Sequence, residues 1–261
     1  MKKQPLITII LCTLNESGHI CELIDELAES LKNFNIEILL IDDNSSDRTF
    51  QLALEHAKEN IFLRPYQRIG QRGLTTAIQT GINMAKGEIV CWLDADFSHP
   101  VEYIPTMIHK ILSNDAQVVV ASRFLPGSKD YTAIHSPLIK LQKILGVFLS
   151  ELGQFFLNPN FTDWSSGFVA IKKECLNNLN LNGDYGEYFM ELIFQCYQKK
   201  FKIIEIPFTS PPRRSGQSKT ATNFLKLFWR GHKYLIRLAR LSLRRWRERI
   251  NVYMYFKFKE N

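Results

Sequence analysis

Apolar runs of strand length alternate with amphipathic segments of helix length through the first 121 residues of the chain. Most of these runs are apolar at nearly every position, so a sheet built from them would be covered on both faces. The predicted strands are Leu6–Thr13, Ile36–Ile41, Ile61–Pro65, Glu88–Leu93 and Gln117–Ala121. The predicted helices are Ser17–Lys32, Arg48–Lys58, Leu74–Ala85 and Pro100–Leu112. This order predicts an α/β fold with a mostly parallel central sheet and helices on both faces.

The alternation becomes less regular after Ser122, although predicted elements continue. They are a loop at Pro126–Ser136, an apolar segment at Leu138–Phe156, a strand at Gly167–Ile171, a helix around Tyr188–Lys199, a strand at Lys202–Pro207 and a basic helix from about Ala221. For Ile144–Phe156 two interpretations stay open, a core helix and a segment lying at a membrane surface. The length of 261 residues allows one large α/β domain or two small ones.

The composition excludes several classes of protein. With 45% hydrophobic and 23% charged residues, the chain is not intrinsically disordered. Its five cysteines are scattered and form no CxxC pair, which indicates reduced thiols in the cytosol rather than disulfides or a zinc site. No apolar run is long enough to predict a membrane-spanning helix. We also expect no signal peptide, because Asn15-Glu16 interrupts the first apolar run and no small-residue cleavage site follows.

The charge is distributed unevenly along the chain. The formal net charge is +7, but residues 213–261 carry 14 basic and 2 acidic side chains, which leaves residues 1–212 with a net charge of −5. A basic tail can bind nucleic acid, an anionic membrane surface or phosphorylated ligands, and charge alone does not choose among them.

Two carboxylates, Asp94 and Asp96, directly follow the predicted strand that ends at Leu93. In parallel sheets, ligands bind at the carboxyl ends of the strands. Carboxylates one residue apart can offer oxygen ligands to Mg²⁺ or Mn²⁺, which also take phosphate oxygens. The motif alone is equally compatible with a solvated or capping role. Its position in register with a second acidic cluster favours a metal site.

This second cluster, Asp42–Asp47, follows the second predicted strand. One of Ser45, Ser46 and Asp47 is expected to cap the helix that begins near Arg48. A cap needs only one such residue, whereas the loop contains three aspartates. Carboxylates at a strand end suit the ribose hydroxyls or base NH groups of a nucleotide.

Seven motifs together carry a resemblance to a known family. In chain order they are TLNE (Thr13–Glu16), DDNSSDRT (Asp42–Thr49), Gly-Leu with a following Ala (Gly73, Leu74, Ala77), LDADFSHP (Leu93–Pro100), Ser-Arg (Ser122-Arg123), DWSSGF (Asp163–Phe168) and RRSGQSK (Arg213–Lys219). With this set the chain resembles the inverting GT-A glycosyltransferases of family 2, and within them the enzymes that make polyprenyl-phosphate sugars. The resemblance covers about residues 6–219. It implies a Rossmann-like GT-A catalytic domain, which we place at residues 1–219, and residues 220–261 are then a basic amphipathic helical tail.

The resemblance implies a role for each matching position. The donor-binding residues would be Thr13, Asn15, Glu16, Asp42, Asp43, Ser45, Asp47, Gly73, Asp94, Ala95, Asp96, Arg213 and Lys219, of which the last two would clamp the diphosphate. The ligands of Mg²⁺ or Mn²⁺ would be Asp94, Asp96 and Ser98. The acceptor phosphate would meet Arg123, with Lys140 and Lys143 as further basic residues. The catalytic residues would be Asp96, Arg123 and Glu191, and Asp163 would line the sugar side with Glu191.

Several positions depart from the family pattern. The family's Pro, Tyr, Lys and Arg are replaced by Cys12, Leu14, Gln71 and Val169. Arg68 and Arg72 could supply the charge that is missing at position 71. These changes leave the nucleobase, sugar and acceptor open, whereas the metal motif is intact. No histidine is assigned to catalysis, because a phosphate acceptor is already anionic at neutral pH, and His99 is expected to be a turn residue.

The tail carries a basic stripe at helical spacing beside an apolar one. The basic residues are Lys226, Arg230, Lys233, Arg237, Arg240, Arg244 and Arg247. The apolar residues are Phe224, Leu227, Phe228, Tyr234, Leu235, Leu238 and Leu241. Such a helix can pack on the domain with a solvated face, or it can lie among lipid headgroups, which Trp229, Trp246 and the aromatic segment Tyr253–Phe256 favour. We do not expect nucleic-acid binding, because nothing in the chain resembles a recognition module.

The sequence therefore predicts a metal-dependent inverting glycosyltransferase. It would move a hexose, mannose first, from GDP-mannose or a UDP-hexose to a polyprenyl phosphate, while peripherally associated with the cytoplasmic face of a membrane. A second interpretation is transfer to a saccharide hydroxyl in surface-polysaccharide assembly, which would need Glu191 or Asp163 as a base. The Gln-x-x-Arg-Trp signature of processive synthases is absent, because Ser242 stands where Gln belongs before Arg245-Trp246. A third interpretation is a non-catalytic nucleotide-binding or membrane-scaffolding protein.

Overall fold

The computed structural model describes residues 4–130, 137–211 and 224–259. Nine strands lie in this part of the chain. In chain order they are β1 (Leu6–Thr13), β2 (Asn35–Asp42), β3 (Leu63–Gln67), β4 (Ile89–Asp94), β5 (Val118–Ser122), β6 (Lys129–Asp130), β7 (Val169–Lys172), β8 (Ile203–Pro207) and β9 (Thr209–Ser210). Seven of them form the central sheet in the order β3-β2-β1-β4-β7-β5-β8. Every pairing in it is parallel except those of β7, which runs antiparallel to both β4 and β5.

Eight α-helices accompany the strands in the described residues. They are α1 (Ile20–Ser30), α2 (Thr49–His56), α3 (Leu74–Met84), α4 (Ile104–Leu112), α5 (Pro137–Phe156), α6 (Lys173–Leu176), α7 (Tyr188–Gln198) and α8 (Phe224–Lys259). A single 3-10 turn at Val101–Tyr103 precedes α4. None of these helices is both long and apolar enough to cross a bilayer.

The helices cover both faces of the sheet, as the sequence predicts. Residues of α1, α2 and α4 pack on one face, and residues of α3, α5, α7 and α8 pack on the other. The alternation along β5 shows the two layers, because Val119 belongs to the first and its neighbours Val118 and Val120 belong to the second. All three are fully buried, which is why the strand sequence is apolar at every position.

Two details of the strands differ from the prediction. The third strand begins at Leu63 rather than at Ile61, which is 95% exposed. Ile38 of β2 is aligned with Leu63, so the apolar residue that enters the sheet is Leu63. Within the segment predicted as a loop, β6 pairs with β9 in a small separate two-stranded sheet.

The apolar face predicted for the tail is divided between two environments. Leu227, Leu238 and Leu241 are buried against the domain, whereas Phe224, Phe228 and Leu235 are among the exposed side chains. One side of this apolar face therefore packs on the domain, and the neighbouring side is exposed.

Candidate active site

The carboxyl ends of β1, β2 and β4 meet at one edge of the sheet. β1 lies between the other two, with Thr13 aligned with Asp42 of β2 and Cys12 aligned with Asp94 of β4. The TLNE loop, the acidic loop after β2 and the Asp94–Asp96 loop are thus neighbours. This arrangement is the one expected for ligand sites in parallel sheets.

Hydrogen bonds fasten the loop after β1 to the loop after β2. They run from Asn15 N to Ser45 Oγ (2.8 Å), from Ser46 N to Asn15 Oδ1 (2.9 Å), from Glu16 N to Thr49 Oγ1 (2.9 Å) and from Ser17 N to Asp47 Oδ2 (3.0 Å). Burial raises the pKa of Asp47, but hydrogen bonds from Thr49 and Ser17 outweigh it and bring that pKa to about 2. Asp47 also accepts the amide of Thr49, the first residue of α2, so it organises the loop. The N-cap position itself is occupied by Arg48, so the prediction that Ser45, Ser46 or Asp47 is the N-cap was wrong.

Asp42 is fully buried beneath these loops. Its carboxylate accepts hydrogen bonds from Thr13 Oγ1 (3.0 Å), from the amide of Ser45 (2.9 Å) and from the Ser45 hydroxyl. The structure therefore places Asp42, Thr13 and Ser45 in the framework that supports the predicted donor site.

Asp43 lies differently, beside Arg68 and the start of α3. Its Oδ2 accepts the amide of Gly73 at 2.8 Å, and its Oδ1 lies 3.0 Å from Nε of Arg68 without hydrogen-bond alignment. Burial raises the pKa of Asp43, with Gly73 and Arg68 opposing the shift. No described group forms a hydrogen bond with Asp43 Oδ1 or Arg68 Nη1, although both atoms are buried. Asp43 and Arg68 thus form an ion pair whose unused hydrogen-bonding capacity suits the edge of a nucleobase.

A cavity of about 340 Å³ is lined by residues that lie close in sequence to Asp43 and Arg68. These residues are Asn44, Gly70, Gln71 and Arg72. The positive charge of Arg72 also lowers the pKa of Asp43. Arginines therefore occupy the surroundings of position 71, where the family pattern has Lys.

The Asp94–Asp96 loop is supported from two sides by buried histidines. The amide of Asp94 donates to Nδ1 of His99 at 3.0 Å, and the carbonyl of Ala95 lies 2.7 Å from Nε2 of His19. Burial lowers the pKa of His99, whose ring stacks on Phe168 at 4.9 Å between centroids. His99 is therefore a neutral, packed support for the loop, and its role is larger than that of a turn residue.

The donor set of this loop fits Mg²⁺ or Mn²⁺. Asp94 is exposed at the end of β4, and Asp96 is mostly buried with its Oδ1 accepting the amide of Ser98 at 3.0 Å. The described residues contain no cluster of three or more His, Cys, Asp or Glu side chains that could hold a metal. Mg²⁺ is typically bound by one or two carboxylates together with substrate phosphates, so Asp94 and Asp96 suffice for a site that a diphosphate completes.

We expect His99→Ala to weaken Mn²⁺-dependent nucleotide binding about tenfold, because the Asp94 amide loses its acceptor and the loop loses its support. His99→Asn keeps an acceptor near the position of Nδ1 and should recover part of the affinity. Titration calorimetry with UDP or GDP and MnCl₂ measures the effect. His109→Ala, at an exposed histidine, is the control. Equal affinity of His99→Ala and wild type would contradict the assignment.

Arg123 and Asp163 form a bidentate ion pair. Nε and Nη2 of Arg123 each lie 2.8 Å from a carboxylate oxygen of Asp163, and the Arg123 amide donates to the same carboxylate at 3.1 Å. Asp163 is fully buried. Burial raises its pKa, but the charge and hydrogen bonds of Arg123 outweigh this and leave the pKa below its ordinary value. Asp163 therefore stays ionised and bound to Arg123. A carboxylate with a lowered pKa and an arginine partner is poorly suited to accept a proton as a general base.

Glu191 lies under the C-terminal helix. One carboxylate oxygen accepts a hydrogen bond from Nη1 of Arg237 (2.8 Å), and the other accepts one from Nη1 of Arg244 (3.0 Å). Nε2 of Gln195 donates a third hydrogen bond to Glu191 at 3.3 Å. Both oxygens of the carboxylate are therefore bound by arginines of α8. We therefore do not expect Glu191 to act as a base, and part of the basic stripe of the tail binds the domain itself.

The remaining predicted residues fall in two groups. Lys140 is exposed and Lys143 is partly buried, both on α5. Arg213 and Lys219, the predicted diphosphate clamp, lie outside the described residues.

Comparison with known proteins decides the family. The model of the family "Glycosyl transferase family 2" matches residues 8–179. The chain belongs to glycosyltransferase family 2. This glycosyltransferase is 31% identical to a dolichol-phosphate mannosyltransferase of Pyrococcus furiosus over 216 residues, which cover 82% of the chain and 58% of that protein. It is 27% identical to the dolichol-phosphate mannosyltransferase of Saccharomyces cerevisiae, over 70% of the chain and 68% of the yeast protein.

Solved structures confirm the GT-A fold of the glycosyltransferase. The glucosyl-3-phosphoglycerate synthase of Mycobacterium tuberculosis, solved with Mn²⁺, UDP and glucosyl-3-phosphoglycerate, superposes with a TM-score of 0.67. The match has 17% sequence identity and covers 91% of this chain and 80% of the synthase. The family membership also removes the non-catalytic scaffold from consideration.

Sequence reasoning missed the supporting residues of the site. His19, His99 and Glu187 are buried polar side chains, and Glu187 accepts the amides of Asp184 and Tyr185 at 2.9 and 3.2 Å. The position of His99 beside the Asp94–Asp96 motif was the available signal. No sequence signal indicated the role of Glu187. Its partners are backbone amides of a loop, and the sequence does not reveal the shape of that loop.

Proposed function

We propose that the glycosyltransferase moves a hexose, with mannose as the preferred sugar, from a nucleotide sugar to a polyprenyl phosphate. In this reaction an acceptor phosphate oxygen forms a bond to the anomeric carbon. The bond from that carbon to the diphosphate breaks on the opposite face, and a nucleoside diphosphate leaves with its electron pair. The acceptor oxygen is already anionic at neutral pH, so no proton has to be removed.

The donor would lie along the edge formed by β1, β2 and β4. Asp43 and Arg68 would bind the base, and Asp94 and Asp96 would hold Mg²⁺ or Mn²⁺. The metal supplies positive charge that stabilises the departing diphosphate. The Mn²⁺ and UDP bound to the mycobacterial synthase support a divalent metal and a nucleotide here, and the dolichol-phosphate mannosyltransferases support the choice of acceptor.

The observation that carries the proposal is that both candidate bases form ion pairs with arginines. A saccharide hydroxyl must lose a proton, and the acids expected to take it were Asp163 and Glu191. Asp163 is held by Arg123 and has a lowered pKa, and Glu191 is held by Arg237 and Arg244. A phosphate acceptor needs neither of them, which favours it over the saccharide alternative.

The exposed side of α8 supports an acceptor held in a membrane, which we propose to be approached from the cytoplasmic face. Large apolar side chains recur there at helical spacing, including Leu225, Trp229, Ile236, Leu243 and Trp246. Helix α5 packs beside α8 and adds its own exposed apolar residues, Ile144, Leu145, Val147, Phe148, Phe155 and Phe156. Aromatic and apolar side chains flanked by Arg and Lys are typical of helices that lie at anionic lipid surfaces.

The function is tested by incubating the protein with polyprenyl phosphate in vesicles, Mg²⁺ or Mn²⁺, and labelled GDP-mannose, UDP-glucose or UDP-N-acetylglucosamine. We expect an acid-labile lipid-linked sugar, formed fastest from GDP-mannose. The absence of lipid product with every donor would refute the proposal. Label recovered on an added oligosaccharide would support the saccharide alternative.

We expect the double substitution Trp229→Ser and Trp246→Ser to lower binding to phosphatidylcholine–phosphatidylglycerol vesicles about tenfold or more, because each buried aromatic ring contributes about 1.5–3 kcal/mol. Vesicle sedimentation measures the change. Ile61→Ser is the matched control, because Ile61 is an exposed apolar residue outside both helices. Unchanged sedimentation of the double variant would mean that α8 only packs on the domain.

A further inference from the structure

One loop of the glycosyltransferase, Asn182–Glu187, lies between the C-terminal helix and the start of α3. We refer to it as the 182–187 loop. It precedes α7. The carboxylate of Glu187 accepts the amides of Asp184 and Tyr185, and the carbonyls of Tyr185 and Gly186 accept the amides of Tyr188 and Phe189. These bonds hold the loop to the start of α7, and further contacts come from the elements on either side.

Helix α8 contacts the 182–187 loop at each successive turn. The guanidinium of Arg230 lies 4.2 Å above the ring of Tyr185, and Lys233 forms an ion pair with Asp184 at 2.5 Å. One turn further, Nη2 of Arg237 donates to the carbonyl of Asn182 at 3.0 Å. The basic stripe of the tail is therefore directed at this loop as well as at Glu191.

The central contact is between Tyr234 and Gly186. A methyl group at position 186 would lie 2.1 Å from the phenol oxygen of Tyr234, so the two residues are in direct contact and a larger residue at 186 would displace the phenol. The ring of Tyr234 packs on the second core layer. Burial raises the pKa of Tyr234 above its ordinary range, and Tyr185, Glu187, Arg123 and Asp94 are the charged or titratable groups that act on it. The phenol thus stays protonated where it contacts Gly186.

The opposite side of the loop contacts the donor-binding edge. Thr75 Oγ1, in the first turn of α3, donates to the carbonyl of Tyr185 at 3.3 Å. The carbonyl of Asp184 lies 3.8 Å from the place a methyl group would take on Gly73. The amide of Gly73 is the group that holds Asp43, so the loop abuts the residues that would bind the donor nucleotide.

A second connection runs through α7 to the metal motif. Tyr188, which directly follows the loop, accepts a hydrogen bond from Nε1 of Trp92 at 2.9 Å. Trp92 lies on β4 two residues before Asp94. Loop, helix and metal motif therefore form one packed unit.

We propose that α8 is a structural part of the donor site, and that Tyr234 is a positioning residue that holds the 182–187 loop against Gly73. The inference rests on the proposed function, since it takes a nucleoside diphosphate with a divalent metal as the ligand. It gives the tail a second role, because the helix that carries the exposed apolar face also sets the affinity for the donor.

The test is titration calorimetry of UDP and of GDP with MnCl₂, without lipid. Tyr234→Ala should weaken the tighter nucleotide about 5- to 20-fold, a common size for coupling between sites. Tyr234→Phe keeps the ring against Gly186 and should stay within about threefold of wild type. Ser242→Ala is the matched control, because that hydroxyl, on the same helix, bonds only the carbonyl of Leu238 among its described contacts.

A second variant approaches the same contact from the loop. Gly186→Ala should displace Tyr234 and lose as much affinity as Tyr234→Ala, and the double variant should be no weaker than either single one, because removing the phenol relieves the overlap. All titrations are made well below the Tm of each variant, measured by circular dichroism. A residue that only stabilises the fold would lower Tm without changing Kd.

The outcomes separate the two proposals. If wild type binds a nucleotide and both Tyr234→Ala and Gly186→Ala bind it equally well, the inference is wrong while the proposed function stands. If wild type binds neither UDP nor GDP with Mn²⁺, the proposed function fails and the inference fails with it.

Discussion

Asp96→Asn is expected to lower the rate of sugar transfer about 10³-fold, at the upper end of what removing one transition-state stabilising group costs. The amide is isosteric with the carboxylate, and its oxygen can still accept the amide of Ser98 that Asp96 Oδ1 accepts now. The loop should therefore keep its shape. What the variant loses is a negative charge at a site where that charge would hold a divalent metal against a diphosphate.

The measurement is the initial rate of lipid-linked sugar formation at saturating donor, together with calorimetry of UDP or GDP in the presence and absence of MnCl₂. The variant should lose the Mn²⁺-dependent part of nucleotide binding. Asp115→Asn is the control, since Asp115 is a half-exposed carboxylate that interacts with Lys110 and Ser113. A rate within a few-fold of wild type for Asp96→Asn would refute the metal assignment.

Asp163→Asn should produce the largest loss of stability, about 3 kcal/mol in the free energy of unfolding. Removing one partner of a buried ion pair leaves the other charge without compensation and typically costs 3–5 kcal/mol. Arg123 keeps 28% of its side chain exposed, which places the effect at the lower end. For a chain of this size, the loss corresponds to a fall in Tm of about 6–12 °C. Calorimetry or circular dichroism measures it.

The same variant should change the dependence of stability on pH. Because the pKa of Asp163 is lowered in the folded protein, the pair contributes stability above the unfolded pKa of about 3.9. That contribution is lost as the pH falls through the folded pKa. The difference in unfolding free energy between wild type and Asp163→Asn should thus be constant above about pH 5 and shrink below pH 4.

Urea unfolding at several pH values gives these free energies. Asp115→Asn again serves as the control, and its effect at neutral pH should stay within about 0.5 kcal/mol, as is usual for an exposed pair. An unfolding free energy of Asp163→Asn equal to that of wild type at pH 7 would show that the pair contributes nothing.

The parts of this molecule that follow from local pattern were predictable. The strand Leu6–Thr13 was predicted with its observed limits, because all its residues except two threonines are apolar and the polar pair Asn15-Glu16 follows it closely. The meeting of the loops after β1, β2 and β4 was also predictable, because parallel strands bring their carboxyl ends to one edge. The position of Asp94 and Asp96 depends only on that geometry.

The pairing of charges across the chain was not predictable. Arg123 and Asp163 are 40 residues apart and were assigned to different parts of the substrate, yet they bind each other. Glu191 finds its partners 46 and 53 residues away on α8. For α8 itself, periodicity gives the angle between its faces but does not tell which face packs on the domain. Leu238 and Phe228 are similar in sequence terms, and only the fold buries one and exposes the other.

The antiparallel strand β7 has a consequence for how this chain can fold. β4 and β5 follow each other in sequence but do not pair, because β7 inserts between them. During synthesis, the β3-β2-β1-β4 half of the sheet can therefore assemble first, with the edge of β4 left open until residues 169–172 have left the ribosome. β5 waits for the same four residues and for β8. An open apolar strand edge is prone to aggregation, so the short segment Val169–Lys172 closes the edge of β4, and the outer edge of β5 stays open until β8 has been made.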